Sequence, residues 1–201
     1  MILLNQYINS FTHYFEQQER EPWEVVQVIP QLLLDLILKL DSHFQIENNI
    51  AIHKTATIES NVIIKPPAVI GKNCFIGSNS YLRQGVFLSD SVKIGTGCEV
   101  KSSVIFENSS IAHFNFIGDS IIGSDVNFEA GSITANHFNE RQDKRIFIKH
   151  NSEVIETNAT KFGSLVGDGS KVGANAVLSP GTFLPKNTIV RRLELVDQTL
   201  G

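Results

Sequence analysis

The sequence is organised by aliphatic residues that recur every six positions, without a break, over the stretch 52–104. The series is Ile52, Ile58, Ile64, Ile70, Ile76, Leu82, Leu88, Ile94 and Val100. A small or short residue follows each member four positions later, at Ala56, Val62, Ala68, Cys74, Ser80, Val86, Val92, Cys98 and Val104. A period of six fits neither the helical repeat of 3.6 residues nor the two-residue repeat of a plain strand. It is the signature of a parallel β-helix, in which each hexapeptide forms one side of a triangular prism.

The predicted fold class is therefore mainly β, a single-stranded parallel β-helix with a short N-terminal α-helical appendage. The appendage covers 1–46, the β-helix 47–192 and a C-terminal tail 193–201. Three hexapeptides make one coil of about 18 residues, so inward aliphatic residues stack from coil to coil into a continuous core. Handedness does not follow from the spacing. Proteins with this hexapeptide are characteristically left-handed, and we expect a left-handed β-helix here.

The six-residue register shifts twice and is interrupted once. After Val100 it slips by one residue to Ile105, and it slips again to Ile122, which indicates shorter corners. The clear break is the charged stretch 137–147, which we expect to project as a loop insertion. The period is expected to resume at Ile148, Val154, Thr160, Val166, Val172, Leu178, Leu184 and Val190.

The first 46 residues show helical spacing instead of the six-residue repeat. The spacing predicts one helix over 7–15, a second around 25–29 and a third over 32–40, with Pro30 breaking or kinking the chain between the last two. Because solenoids need a terminal unit over their open core, we expect this appendage to cap the first coil.

Composition excludes several kinds of partner and location. The net charge of −4 provides no basic excess for a nucleic-acid footprint. The longest apolar run, 32–40, contains two charged residues and falls short of the roughly 20 residues that span a bilayer. The N-terminus lacks the pattern of a secretory signal, so we expect a cytoplasmic protein without membrane contact. Cys74 and Cys98 both occupy the small inward position, which predicts two separate buried thiols.

Two cations recur at the spacing of one coil. Arg83 and Lys101 each follow directly after an inward aliphatic residue and are 18 residues apart, so they are expected to stand one above the other. With Gly118 beside them they would form a small anion site suited to a phosphate group. The alternative is a pair of solvated surface charges that happen to align.

Two further polar residues are candidates for chemistry. His113 lies two residues after an inward aliphatic residue, so its ring is expected to point outward, where it can take up a proton near neutral pH. Asn136 precedes the predicted loop and can supply both a donor and an acceptor. Taken singly, His113 is an ordinary surface histidine and Asn136 a turn residue.

Four segments in this order carry a resemblance to a known family: 81–85, 99–101, 113–120 and 131–136. They resemble the left-handed β-helix acetyltransferase domain of bacterial glucosamine-1-phosphate acetyltransferase/N-acetylglucosamine-1-phosphate uridylyltransferase. The sequence is closer still to related archaeal and bacterial sugar-phosphate nucleotidyltransferase-like proteins, which also have counterparts of 161–168 and 180–181. The resemblance covers about 47–192.

The resemblance implies transfer of acetyl from acetyl-CoA to the amine of an amino-sugar 1-phosphate such as glucosamine 1-phosphate. It implies roles for six residues: Arg83 and Lys101 hold the sugar phosphate, His113 removes a proton, Asn136 orients the amino sugar, the N–H of Ala130 faces the oxyanion, and Arg191 meets the phosphates of CoA. It also implies a homotrimer with sites between neighbouring prisms, and no metal requirement.

The sequence departs from the family pattern in two places. Phe116 and His137 stand where the family has tyrosines that would contact the substrate, so the substrate or its affinity is expected to differ. The 201 residues contain no glycine-rich nucleotidyltransferase domain, so we expect no synthesis of a nucleotide sugar.

Two other functional classes were compared with the transferase. One is a non-catalytic trimer that binds a sugar phosphate or nucleotide sugar and derives from the two-domain enzymes. The other is a zinc carbonic anhydrase on the same prism, which needs three converging histidines. His113, His137 and His150 are spaced 24 and 13 residues apart without a close pair, which disfavours the zinc enzyme.

Overall fold

A computed structural model of the chain describes residues 1–15 and 20–199. Residues 16–19 and 200–201, which belong to the predicted appendage and tail, lie outside the described part. The chain winds into a solenoid with three sides, and strands one coil apart pair in parallel. The predicted fold class, a mainly β, single-stranded left-handed parallel β-helix with a short helical appendage, is confirmed.

Side 1 of the solenoid contains seven two-residue strands: β3 (Thr57–Ile58), β6 (Phe75–Ile76), β8 (Lys93–Ile94), β10 (Ser110–Ile111), β13 (Asn127–Phe128), β18 (Lys171–Val172) and β21 (Ile189–Val190). Side 2 contains β4 (Ile63–Ile64), the first half of β7 (Tyr81–Leu88), the first half of β9 (Glu99–Ile105), β11 (Phe116–Gly118), β14 (Ile133–Thr134), β19 (Val177–Leu178) and β22 (Leu195–Val196).

Side 3 contains β2 (Ile50–His53), β5 (Ala68–Ile70), the second halves of β7 and β9, β12 (Ile121–Ile122), β17 (Ser164–Val166) and β20 (Thr182–Leu184). Strand β1 (Phe44–Glu47) pairs antiparallel with β2 and covers its free edge, so the predicted boundary at residue 46 falls within a hairpin.

The inward positions of the coils form one apolar core. From Ile70 onward, every member of the six-residue series in the regular coils is at most 4% exposed. Val104 is an exception to the predicted small inward positions, because the shorter corner turns it outward beside Phe87 and Ile121. Ser103 takes the inward place instead. Both cysteines are free and buried, as predicted, and burial raises the pKa of the Cys74 thiol to about 12.

The N-terminal segment contains a 3₁₀ turn (Leu4–Gln6), a short helix α1 (Phe11–Tyr14) and a long helix α2 (Pro22–Ile37). Helix α2 begins with a reciprocal capping box between Glu21 and Glu24 and continues through Pro30. The prediction of two helices separated at Pro30 is therefore wrong. Pro30 removes one backbone hydrogen bond, but packing of the helix's apolar face supplies most of its stability.

The expectation that the appendage caps the first coil stays a prediction: β1 pairs with the free edge of β2, but the rest of the appendage lies elsewhere. The appendage packs along the outer face of side 3, and Ile52, Ile58 and Ile64 of the first coil stay only partly buried. Side 3 presents an outward apolar column, each member at most 2% exposed: Ala51, Val69, Phe87, Val104, Ile121, Leu165 and Phe183. The molecule therefore has a second core, between this column and the N-terminal segment.

The interruption after β14 is longer than the predicted loop at 137–147. Residues 147–156 form an antiparallel hairpin of β15 (Phe147–His150) and β16 (Glu153–Glu156), and the solenoid resumes only at β17. The prediction that the repeat resumes at Ile148, Val154 and Thr160 is wrong, because Val154 and Thr160 are exposed and Ile148 joins the second core. None of the described helices is long and apolar enough to cross a bilayer.

Buried hydroxyl groups at the corner between sides 2 and 3 allow a test of the coil packing. Ser120 Oγ donates to the Gly118 carbonyl and accepts the N–H of Ser164. Ser120→Ala would leave that buried N–H without an acceptor, so we expect a loss of about 1–3 kcal/mol in the free energy of unfolding. Ser164 Oγ is itself buried without a partner in the described structure.

Ser164→Ala is the matched control for the Ser120 variant. Removing an unpaired buried hydroxyl is expected to change the free energy of unfolding by less than about 1 kcal/mol, or to raise it. Urea unfolding of the two variants gives the comparison. A larger loss for the Ser164 variant than for the Ser120 variant would contradict this hydrogen-bond assignment.

Candidate functional site

The predicted stacking of the two cations is present in the strand register. Arg83 on β7 lies beside Lys101 on β9, and Lys101 lies beside Gly118 on β11. All three positions are at the carboxyl ends of the side 2 segments. The coil spacing of the sequence therefore places these residues as expected.

Each of the two cations is already paired with a carboxylate. Arg83 Nη2 lies 2.6 Å from Glu99 Oε1, and Arg83 Nε donates to the same oxygen. Lys101 Nζ lies 2.5 Å from Asp119 Oδ2, and both side chains of this pair are only 9% exposed. A buried pair of this kind is sensitive to loss of one partner. The anion site predicted from Arg83 and Lys101 is thus electrically balanced.

Asp119 connects the cations to the end of the next coil. Its Oδ2 also accepts a hydrogen bond from Asn136 Nδ2, and Asn136 Oδ1 lies 3.1 Å from Nδ1 of the exposed His137. Asp119 is not among the site residues predicted from the sequence. The signal was available, because Asp119 lies 18 residues after Lys101 and thus one coil further on.

Phe116 lies where the anion was expected. A Cβ added to Gly118 would be 2.6 Å from two ring carbons of Phe116, so the ring lies directly against that glycine. The same added atom would be 3.1 Å from Asn136 Nδ2. The aromatic ring thus occupies the space beside Gly118 at this strand end.

His113 lies at the opposite end of the same strand segment. It precedes β11 at the corner between sides 1 and 2, and its carbonyl accepts the N–H of Gly131 from the next coil. Its ring is exposed, lies close to Gly95 and makes no hydrogen bond with any described residue. Its proton-accepting atom is therefore available to a ligand.

The N–H of Ala130 is also available. The Ala130 carbonyl accepts the N–H of Asn175, but no acceptor for the Ala130 N–H lies within the described part of the chain. A backbone N–H that is free and fixed by its coil can bind an anionic oxygen.

Arg191 borders a groove of about 520 Å³ on the outer face of side 1. The groove is lined by Lys171, Arg191, Arg192 and Glu129 among others. Arg192 donates to both oxygens of Glu129 and holds the pKa of that carboxyl at about 2. Lys171 and Arg191, which also line the groove, form no ion pair with any carboxylate in the described part of the chain.

Lys161 is a cation that the sequence analysis did not consider for the site. The N–H of Phe162 donates to the Asn136 carbonyl and the N–H of Gly163 donates to the Asp119 carbonyl. These bonds hold the backbone directly after Lys161 beside Asp119 and Asn136. Lys161 is exposed and forms no ion pair with any described residue.

No group of three or more His, Cys, Asp or Glu side chains in the described residues is arranged to hold a metal ion. Of the three histidines considered for zinc, His150 contacts Tyr7 Oη through Nδ1, His137 contacts Asn136, and His113 has no side-chain partner among the residues described. The expectation that no metal is required stays a prediction.

Comparison with known sequences yields two family matches. The family described as GMPPB C-terminal domain matches residues 76–192, which is more than half of the chain. The family described as bacterial transferase hexapeptide (six repeats) matches residues 49–84. Together the two matches cover the regular coils and the candidate site residues Lys101, Asp119 and Asn136.

Two curated relatives show the extent of the similarity. A "Bifunctional protein GlmU" from Methanococcus maripaludis is 38% identical over 203 residues, which is 99% of this chain and 47% of that protein. A "Bifunctional sugar-1-phosphate nucleotidylyltransferase/acetyltransferase" from Sulfurisphaera tokodaii is 35% identical over 109 residues, 54% of this chain and 27% of that protein. The chain thus spans about half, or less, of the length of the curated relatives it matches.

Among solved structures, a mutant of AntD, an N-acyltransferase from Bacillus cereus in complex with dTDP and Coenzyme A, matches 80% of this chain and 83% of its own. The identity is 13% and the TM-score is 0.41. The resemblance drawn from the four outward segments is confirmed by the family and sequence matches. The chain belongs to the GMPPB C-terminal domain family, and its first coils carry the bacterial transferase hexapeptide repeat.

Proposed function

We propose that this chain is a hexapeptide-repeat acyltransferase that moves acetyl from acetyl-CoA to the amine of an amino-sugar 1-phosphate. The observation that carries the proposal is the arrangement along side 2. Stacked Arg83 and Lys101 mark one end of the strand segments, and His113, exposed and without a hydrogen-bond partner among the described residues, marks the other end. One curated relative is named "Bifunctional sugar-1-phosphate nucleotidylyltransferase/acetyltransferase".

The acceptor's phosphate is proposed to bind near Arg83 and Lys101. Since Glu99 and Asp119 neutralise these two cations, the exposed Lys161 supplies the extra positive charge for an anionic ligand. Asn136 is proposed to orient the amino sugar. Phe116 and His137 border this region and would contact the sugar.

His113 is proposed to take a proton from the amine as it attacks the thioester carbon. A positioned base of this kind typically contributes about 10²- to 10⁴-fold to the rate. The free N–H of Ala130 would bind the oxygen that becomes negatively charged in the tetrahedral intermediate. His113 and the Ala130 N–H can both contribute, because they act on different atoms of the same intermediate.

Acetyl-CoA is proposed to place its phosphates in the groove at Arg191 and Lys171. Free, buried thiols fit the predicted cytoplasmic location, where thiols are kept reduced. The proposal requires no nucleic acid and no membrane partner.

The proposed assembly is a homotrimer with sites between neighbouring copies. Side 2 has an outward column that is apolar at every position except Glu99: Ile63, Tyr81, Glu99, Phe116, Ile133, Val177 and Leu195. Ile63, Ile133 and Leu195 are exposed, whereas the corresponding column of side 3 is covered by the appendage. Three-fold packing of side 2 would bury this column and bring His113 of one copy toward a neighbour.

Ile133→Asp is expected to convert the trimer to monomers, because a charge on the packed face would be buried without a partner. Light scattering after size exclusion gives the mass of each variant. Val154→Asp is the matched control, since Val154 is 59% exposed on the hairpin. A wild-type monomer, or a trimer that both variants retain, would contradict the proposed interface.

Thiol release from acetyl-CoA tests the proposed reaction. We expect release in the presence of glucosamine 1-phosphate or galactosamine 1-phosphate, and none with N-acetylglucosamine 1-phosphate, whose amine is already blocked. The absence of release with every amino-sugar phosphate would contradict the proposal.

A second candidate is a non-catalytic trimer that binds a sugar phosphate or nucleotide sugar. Phe116 and His137 favour it, because these two departures from the family pattern border the region where the acceptor is proposed to bind. Calorimetry separates the two candidates. Binding of sugar phosphate with no heat from acetyl-CoA would select the binding protein.

A further inference from the structure

A chain of hydrogen bonds runs from the buried ion pair to an exposed imidazole. Asp119 Oδ2 receives Lys101 Nζ and Asn136 Nδ2, and Asn136 Oδ1 lies 3.1 Å from His137 Nδ1. A carboxylate paired with an ammonium group has no hydrogen to donate. The Asn136 amide must therefore turn its NH₂ group toward Asp119 and its oxygen toward His137.

The amide orientation decides the tautomer of His137. The Asn136 oxygen can only accept a hydrogen bond, so His137 Nδ1 must carry the hydrogen. In the neutral ring Nε2 then has a free lone pair. The protonated ring keeps the same bond to Asn136. Nε2 can thus gain and lose a proton while the ring stays in place.

We propose that His137 is a second proton-accepting group of the site, and that Asp119 and Asn136 are positioning residues that fix its tautomer. The inference rests on the proposed acetyl transfer and deepens it. The ligand group that Nε2 recognises is the ammonium form of the acceptor's amine. The histidine at this position thus supplies a base that a neutral tyrosine would not supply.

The acceptor nitrogen loses two protons during the reaction, so a second base has a role. An ammonium group R–NH₃⁺ must lose one proton before its nitrogen lone pair can attack the thioester carbon. It loses a second proton when the C–N bond has formed. One proton ends on the sulfur as the C–S bond breaks and free CoA thiol leaves, and the other goes to solvent. We assign the first proton to His137 Nε2 and the second to His113 of a neighbouring copy in the proposed trimer.

The tautomer can be measured without any activity. Nitrogen-15 NMR at about pH 8.5, roughly two units above the usual histidine pKa, distinguishes the two neutral tautomers. We expect the Nδ1–H form for His137. His53 is the internal control, because its Nδ1 accepts the N–H of Thr55 and its neutral ring must carry Nε2–H. Asn136→Ala is expected to remove the difference between His137 and His53.

Steady-state kinetics tests the proton-accepting role of His137. His137→Phe is expected to lower kcat about 100-fold at pH 7. This loss should shrink as the pH is raised toward 9, because the acceptor amine then loses its first proton to solvent. A purely structural defect would give the same loss at every pH. A loss that does not change with pH would overturn the role of His137.

The outcomes separate this inference from the proposed function. The Nε2–H form of His137 in a protein that transfers acetyl would overturn the inference alone. The Nδ1–H form in a protein that transfers no acetyl would overturn the proposed function together with the proton-accepting role. The Nδ1–H form with a pH-dependent loss in His137→Phe supports both.

Discussion

His113→Ala is expected to lower kcat for acetyl transfer by about 10²- to 10⁴-fold, the usual contribution of a positioned general base. The ring of His113 is exposed and makes no hydrogen bond with the described residues, so its removal leaves no buried group without a partner. KM for the acceptor should stay close to the wild-type value, because the proposed phosphate-binding residues lie at the other end of the strand. Initial rates of thiol release measure both parameters.

His43→Ala is the control for the His113 variant. His43 is also exposed, lies before the first coil and interacts with Asp41. Its replacement is expected to leave kcat and KM unchanged. Equal activity of the two variants would remove His113 from the chemistry.

Phe106→Ala is expected to lower the free energy of unfolding by about 3–5 kcal/mol, as for other fully buried phenylalanines. The Phe106 ring lies 6.0 Å from the centroids of Phe11 and Tyr14 and 6.1 Å from that of Phe87. It therefore joins the N-terminal segment to the outer face of side 3. Chemical denaturation of the full chain measures the change.

Phe114→Ala provides the matched comparison, because Phe114 is 70% exposed. Its stability is expected to stay within about 0.5 kcal/mol of the wild type. If Phe106→Ala were equally mild, the N-terminal segment would be only loosely attached. The second core would then contribute little to the fold.

The six-residue period predicted the core because it reports which side chains point inward, and every coil buries them in the same way. It could not locate the appendage, because a six-residue period does not report what packs on the outward positions. The sequence held the missing signal. Phe87 lies 18 residues after Val69, which itself lies 18 after Ala51, so one side of the prism is apolar outside as well as inside.

Two local errors have physical causes. Ile148 and Val154 keep the six-residue spacing by chance, and a hairpin with alternating apolar residues cannot be told from a coil by spacing alone. Pro30 was treated as a helix breaker, but the apolar face of α2 packs against side 3 on both sides of it. Tertiary packing, not local sequence, determines the backbone conformation in both segments.

The candidate site was predictable only in part. Coil spacing placed Arg83 over Lys101, because parallel strands in register stack residues one coil apart. The pairing of these cations with Glu99 and Asp119 depends on side-chain conformations, which the spacing does not specify. The hydrogen bond between Asp119 and Asn136, which lies in the next coil, was not predictable for the same reason.

Mass analysis of the acceptor after incubation with isotopically labelled acetyl-CoA tests the central proposal most directly. Glucosamine 1-phosphate should gain one labelled acetyl group on its nitrogen, in a reaction that His113→Ala slows by at least about 100-fold. An unmodified acceptor would contradict the proposed acetyl transfer, and so would labelling at the same rate by the His113 variant.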